Sequence, residues 1–264
     1  MIVHRVRAVT FPRVLTAEWS KLTSVSSTPW IAVGTIVSAL SLAFALGLFV
    51  RAGDAVSGLS LAVNGVLFAQ LGVLVLGVLV GAGEFSTGTS LMTFAAVPRR
   101  LPVLAAQTLV TAGVAVGTAA VALAASALVT TGARGTAGLT FDLSDPGTAR
   151  AVAGFVLYLT GVAVLGVGLG ALLRRPTTAL VTGVVLFVVV DQLLATNPGR
   201  ITDALRAVLP SSGTRMFQDD AALAALNSGP GPDLGARGGG LALGGWVVVV
   251  LAAAAYRLRR HDIT

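Results

Sequence analysis

GEFSTGTSLMTFAAVPRR, residues Gly83–Arg100, lies between two long apolar runs, and everything around it takes its reading from this stretch. It is too polar to stay in hydrocarbon and too short to be a domain. Arg99 and Arg100 would each cost about 2.5–3.5 kcal/mol at the centre of a spanning helix, so the segment must emerge where water is available. The basic pair marks that face as cytoplasmic. Within the stretch, Thr89 to Val97 has the length of roughly two helical turns, with Leu91, Met92, Phe94 and Ala95 as an apolar surface and Pro98 as the stop. A short helix held between two spans is suited to press into a groove on a soluble partner.

The flanking runs set the class. Apolar residues make up 55% of the chain and charged residues 11%, and the apolar ones gather into runs of about twenty, the signature of helices that cross a bilayer. The expected fold is therefore an all-α integral membrane protein. Six spans are expected, at about 30–50, 61–82, 101–131, 151–173, 177–194 and 241–256, the last the shortest. The first, at about 31 Å for its 21 residues, matches a hydrocarbon core of roughly 30 Å. It starts too late and runs too long for a cleaved leader. Ala39, Ala43 and Gly47 repeat every fourth residue in the first span, Gly77 and Gly81 in the second, Gly113 and Gly117 in the third, and Gly166 and Gly170 in the fourth; such small faces let helices approach closely.

Charge chooses the orientation. With both termini inside, the inner segments hold eleven basic residues, including Lys21, Arg99, Arg100, Arg174 and Arg175, against three acidic ones, Glu18, Glu84 and Asp262. The outer segments keep seven basic and eight acidic residues. This asymmetry predicts a multi-pass protein of the cell membrane with both termini cytoplasmic: residues 1–29 and 257–264 inside, flanking a transmembrane domain over 30–256. The net charge of +7 is then mainly a topology signal; the basic residues form no stripe with interleaved aromatics, and no nucleic-acid partner is expected.

Ahead of the first span, Leu15, Trp19 and Leu22 recur at helical spacing with Arg13, Thr16, Ser20 and Lys21 on other faces. This predicts an amphipathic helix in the membrane surface, against the alternative of a disordered basic leader. On the outer side, ITDALRAVLP predicts a short amphipathic helix with Ile201, Leu205 and Val208 on one face, ended by Pro210, and Asn227–Gly240 reads as a flexible linker. Topology predicts Ser90 inside and Ser212 outside.

Much chemistry is missing. The only histidines, His4 and His261, lie at opposite ends of the chain and there is no cysteine, so neither a histidine metal site nor a membrane hydrolase dyad is expected. The lone lysine, Lys21, lies between Ser20 and Leu22 and makes no phosphate-binding loop, so the chain is not its own ATPase and is not expected to be an enzyme or to hold a cofactor. No acidic pair sits at mid-membrane: Glu84 is at the inner end of the second span and Asp191 near the outer end of the fifth. Asn64, Gln70 and Tyr158 are the main polar residues within spans, as interhelical hydrogen bonders or as ligands of a transported molecule.

LTAEWSKLTSVSSTPW running into the first span, GEFSTGTSLMTFAAVPRRLPVLAAQ after the second, six spans and a long loop before the last resemble the permease subunits of ATP-binding cassette (ABC) transporters of the ABC-2 class. The resemblance covers nearly the whole chain. It implies that Leu15, Trp19 and Leu22 belong to an elbow helix. It likewise implies that Glu84, Phe85, Thr89, Leu91, Met92, Phe94, Arg99 and Arg100 belong to the region whose coupling helix docks on a separate ATP-binding subunit, which would carry the ATP and Mg. Members often have a basic residue soon after the Gly-Thr, where this chain has Ser90. A second permease copy or a relative would complete the pathway, for export of a drug-like, lipid or peptide cargo. The other readings are a secondary transporter, which the missing deep carboxylate disfavours, and a non-transporting subunit that anchors or senses for another complex.

Overall fold

The computed structural model describes residues 10–52, 54, 56–86, 100–218 and 234–260. Among them there are helices and no strands, and six helices are long and apolar enough to cross a membrane, which is compatible with a multi-pass membrane protein. The described elements are α1 (Phe11–Ser24), α2 (Ser27–Gly47), α3 (Gly58–Val63), α4 (Val66–Ser86), α5 (Arg100–Val129), α6 (Thr131–Ala137), α7 (Pro146–Leu173), α8 (Pro176–Ala195), α9 (Arg200–Val208), a 3-10 segment (Pro210–Phe217) and α10 (Gly235–Arg260). We call the side holding α1 and the end of α10 the near side, and the other the far side.

Local chemistry places the helix ends. α7 starts five residues earlier than hydropathy suggests because Asp145 caps it, accepting from the Thr148 amide at 2.8 Å, with Pro146 at the first helical position. It ends at Arg174, whose backbone is left-handed at φ 58°, and Pro176 opens α8 directly. Span two is broken into α3 and α4, with Asn64 exposed between them and Gly65 pressed against the Ala39 backbone of α2. The last helix is longer than expected, because the glycines of the anticipated linker from Gly235 onward are its first turns. A Cβ at Gly239 would stand 2.3 Å from the Ser212 carbonyl of the 3-10 segment, so glycine is retained there for close approach and not for flexibility.

The core is built on α4 against α7. A Cβ at Gly77 would lie 2.0 Å from the Ala163 carbonyl oxygen, and one at Gly81 2.1 Å from that of Val167. From the other side, one at Gly170 would lie 2.7 Å from the Ala82 nitrogen. The two small faces read from the sequence thus meet each other. Between helices in lipid there is little hydrophobic drive, so the gain comes from van der Waals contact along this seam. Around it pack Val73, Leu74, Phe155, Leu159, Val162 and Leu165, all nearly inaccessible. Ala39 and Ala43 of α2 are also buried. Gly113 and Gly117 of α5 are different: among the described residues nothing lies within 4 Å of a Cβ built on either. Outward, Trp30, Val37, Phe44, Leu128, Leu157 and Val248 stand largely exposed, as a lipid-facing surface requires and an aqueous one would not favour.

These contacts separate two kinds of glycine. Gly77→Val should cost at least the 1–3 kcal/mol usual for overpacking, because the obstructing atoms are backbone. Gly117→Ala should leave stability nearly unchanged. Thermal unfolding of the purified chain in detergent reads the difference; equal melting shifts for the two would contradict the packing.

Candidate functional site

The near end of α4 is where the structure concentrates charge. Glu84, in its last turn, accepts from Lys21 Nζ at 2.6 Å, and the same ammonium reaches Glu18 at 2.7 Å one turn back along α1. Lys21 is thus a clamp between α1 and α4. Glu18 is only 6% exposed because it lies on the stripe that α1 turns to the bundle, Val14, Glu18 and Leu22, and the Gln107 amide of α5 lies near its carboxylate and adds a small pull toward the charged form. Apolar neighbours hold the stripe down: Val14 packs on Val103 and Ala106 of α5, and Leu22 on Leu76 and Val110.

Burial pushes the Glu18 carboxyl above its ordinary 4.5, against the pull of Lys21. Burial also weighs against the Lys21 ammonium, but hydrogen bonds to Glu18 and Glu84 outweigh it and hold the group above 10.5.

Phe85, the next residue, faces another way. Its ring lies under the Arg174 guanidinium, 5.2 Å from centroid to carbon, and packs with the cluster of Leu104, Val167, Ala171 and Leu258. Beside it Arg257 of α10 donates to the Leu172 carbonyl at the end of α7. Two successive residues of α4 therefore tie it to α1 on one side and to α5, α7 and α10 on the other.

Of the coupling residues read from the sequence, the structure brings Glu84 and Phe85 into this junction. Thr89, Leu91, Met92, Phe94 and Arg99 lie outside the described residues, and Arg100 opens α5. For α1, Leu15 and Leu22 pack against the bundle, whereas Trp19 is half exposed beside a shallow groove with Leu109 and Gly113. The buried stripe is displaced by one residue from an apolar face centred on Trp19, because Lys21 and Glu84 neutralise part of what Glu18 carries inside. Sequence reasoning set Glu18 aside as a count in the topology ledger; its i, i+3 spacing from the only lysine was the available signal.

Two further polar sites lie deeper. Tyr158 donates to Gln70 Oε1 at 2.6 Å, both side chains buried, so this pair joins α7 to α4, while Asn64 stands apart at the α3–α4 break. On the far side, Asp191 accepts from Arg206 Nε at 3.1 Å, from its Nη2 at 3.3 Å, and from Ser211 Oγ at 3.0 Å. A π turn over Val185–Val189 resets the register of α8 just before Asp191. The expected apolar face of α9 is present and turned outward, with Ile201, Leu205 and Val208 exposed. Beyond it Pro210 begins a new turn. The 3-10 segment folds inward over α7, and Phe217 meets Phe155 edge-on at 5.5 Å and Tyr158 at the same distance.

No model of a known family, no curated protein and no solved structure matches the chain.

Two measurements probe this geometry. For Glu18, a pKa raised by folding stabilises the folded state below the ordinary carboxyl range, and that contribution is lost as pH rises through the raised value. Wild type should accordingly lose stability over an interval starting near 4.5 and extending upward, and Glu18→Gln should lack that step in thermal unfolding against pH. In cysteine mapping, Ser20→Cys and Ser144→Cys, both at exposed positions, should react with an impermeant maleimide from opposite faces. Ser212→Cys, expected outside on topology alone, should resist labelling from either face, since Ser212 is 6% exposed on the inward side of the 3-10 segment.

Proposed function

We propose that this chain is the permease subunit of an ABC transporter of the ABC-2 class, coupling a translocation pathway to a separate ATPase. The observation that carries the reading is the double tie at the end of α4. A push on the segment joining α4 to α5 reaches α1 through Glu84 and Lys21, and α7 and α10 through Phe85. The resemblance of the α1 and Gly83–Arg100 stretches to the elbow and coupling regions of that class points the same way.

On this reading the near side is cytoplasmic, α1 is the elbow, and the stretch over Thr89–Val97, outside the described residues, is the coupling region that docks on the ATP-binding subunit. Nucleotide bound in the partner favours one permease state over the other. The glycine seam between α4 and α7 passes the shift on as a rigid-body movement, because backbones in contact have no slack to absorb it. Tyr158–Gln70 and the Phe217 stack above it are the layer at which such a movement would open the far side. Two permease chains enclose the pathway, and the exported cargo is drug-like, lipid or peptide in character.

Purification of the full chain from its host should bring down a soluble ATP-binding subunit whose hydrolysis the permease stimulates. Phe94→Asp should abolish that stimulation while leaving the permease inserted. Lys21→Met should keep docking but reduce transport per ATP hydrolysed, as the elbow no longer follows α4. Cargo movement by the reconstituted chain alone, driven by an ion gradient without ATP, would overturn the assignment.

A further inference from the structure

A cavity of about 530 Å³ opens at the near side between α1, α2, α4 and α5, with Ser27 and Thr28 in its lining where α1 turns into α2. One part of its wall is apolar, formed by Leu22, Ile31, Leu76, Leu79 and Val80. The other is the ion cluster of Glu18, Lys21 and Glu84 with Gln107. Among the described residues that cluster is out of balance, since two carboxylates share one ammonium and leave a net charge of −1. Lys21 Nζ engages Oε1 of each carboxylate, and Glu84 is only 12% exposed at its side chain. Excess negative charge beside a membrane interior is costly unless a cation joins it. A hydrated metal ion or a bare proton would satisfy the charge but leave the apolar wall unused.

We propose that this cavity is a binding site for a membrane-partitioned amphiphilic monocation, whose charged group joins Glu18 and Glu84 while its apolar body lies against Leu22, Ile31, Leu76, Leu79 and Val80. Charge complementarity sets the sign of the ligand, and the position beside the α1 bend at the membrane surface sets its source, the adjoining leaflet. The site stands on the cavity and its charges alone and holds whether or not the chain is a permease. Protons compete for it: the charged groups facing Glu18 among the described residues are Lys21 on its own helix and Glu84 from α4, with the Gln107 amide from α5, and protonating Glu18 cancels the excess charge.

The test uses the full chain in phosphatidylcholine nanodiscs and fluorescence polarisation of rhodamine 6G, a cationic amphiphile, with protein-free discs subtracted. Saturable binding is expected, with sulforhodamine B, an anionic relative, bound far more weakly. Glu84→Gln should weaken rhodamine 6G binding on the order of tenfold, the range for losing a charged hydrogen-bond partner. Lys21→Gln, which removes the resident competitor, should tighten it, and lowering the pH should weaken it. Dodecyltrimethylammonium should displace the dye, and tetramethylammonium at the same concentration should not. If a charge variant fails to fold, Leu79→Trp, at a half-exposed wall position, blocks the cavity without touching the ions and should abolish binding. Absence of saturable binding, equal affinity for both dyes, or unchanged affinity in Glu84→Gln or Leu79→Trp would each overturn the proposal.

Discussion

Backbone contact between α4 and α7 is the constraint on which the other features rest. Because Gly77 and Gly81 meet Ala163 and Val167 with no side chain between, and Gly170 meets Ala82 in return, the two helices have one register along roughly two turns. A slide by one residue would put a Cβ where a carbonyl oxygen stands. The seam therefore positions everything attached at its ends: Gln70 opposite Tyr158 toward the far side, and Glu84 and Phe85 at the near side. Interhelical hydrogen bonds in membranes contribute only about 0.6 kcal/mol on average, so Tyr158–Gln70 checks the register more than it creates it.

At the far side the same seam supports a lid. Phe217 rests on Phe155 and Tyr158, and Gly154 and Gly239 let the 3-10 backbone approach α7 and α10 more closely than any side chain would allow. Asp191 secures the outer flank of this segment through Arg206 and Ser211, and Trp246 of α10 donates to the Val208 carbonyl at the end of α9. The 3-10 segment is thus held on α7 and α10 by ring packing, close backbone approach and a few polar contacts.

Much of this architecture was legible in the sequence, because hydropathy and small-residue periodicity are one-dimensional signals. They yielded six spans, a helix over the first described residues, and the small faces of the second and fourth spans. The pairing of those two faces was not legible, since Gly113 and Gly117 carry the same spacing, yet among the described residues no atom lies within 4 Å of a Cβ built on either. Helices run past the hydropathy segments where capping extends them, as at Asp145, and where Gly235–Gly240, read as part of a linker, is helix packed on the 3-10 segment. Of the near-side junction, Glu84 and Phe85 were singled out, by the resemblance of their stretch to a coupling region. Glu18 was not: a carboxylate predicts exposure by itself, and only a three-dimensional arrangement that brings Lys21 and Gln107 to it explains its burial.

That burial explains why α1 is attached as it is. An amphipathic helix held only by Val14, Leu15 and Leu22 could roll on the bundle, because apolar contact is not directional. Lys21 removes this freedom by reaching both its own helix and α4, and the reach succeeds only when the end of α4 is at its present height. Successive helical residues point about 100° apart, so Glu84 and Phe85 cannot both keep their partners if α4 turns about its axis. Translation along the axis, by contrast, carries α1, α7 and α10 with it. The junction thus ties axial displacement of α4 to its neighbours and resists rotation of α4 about its own axis.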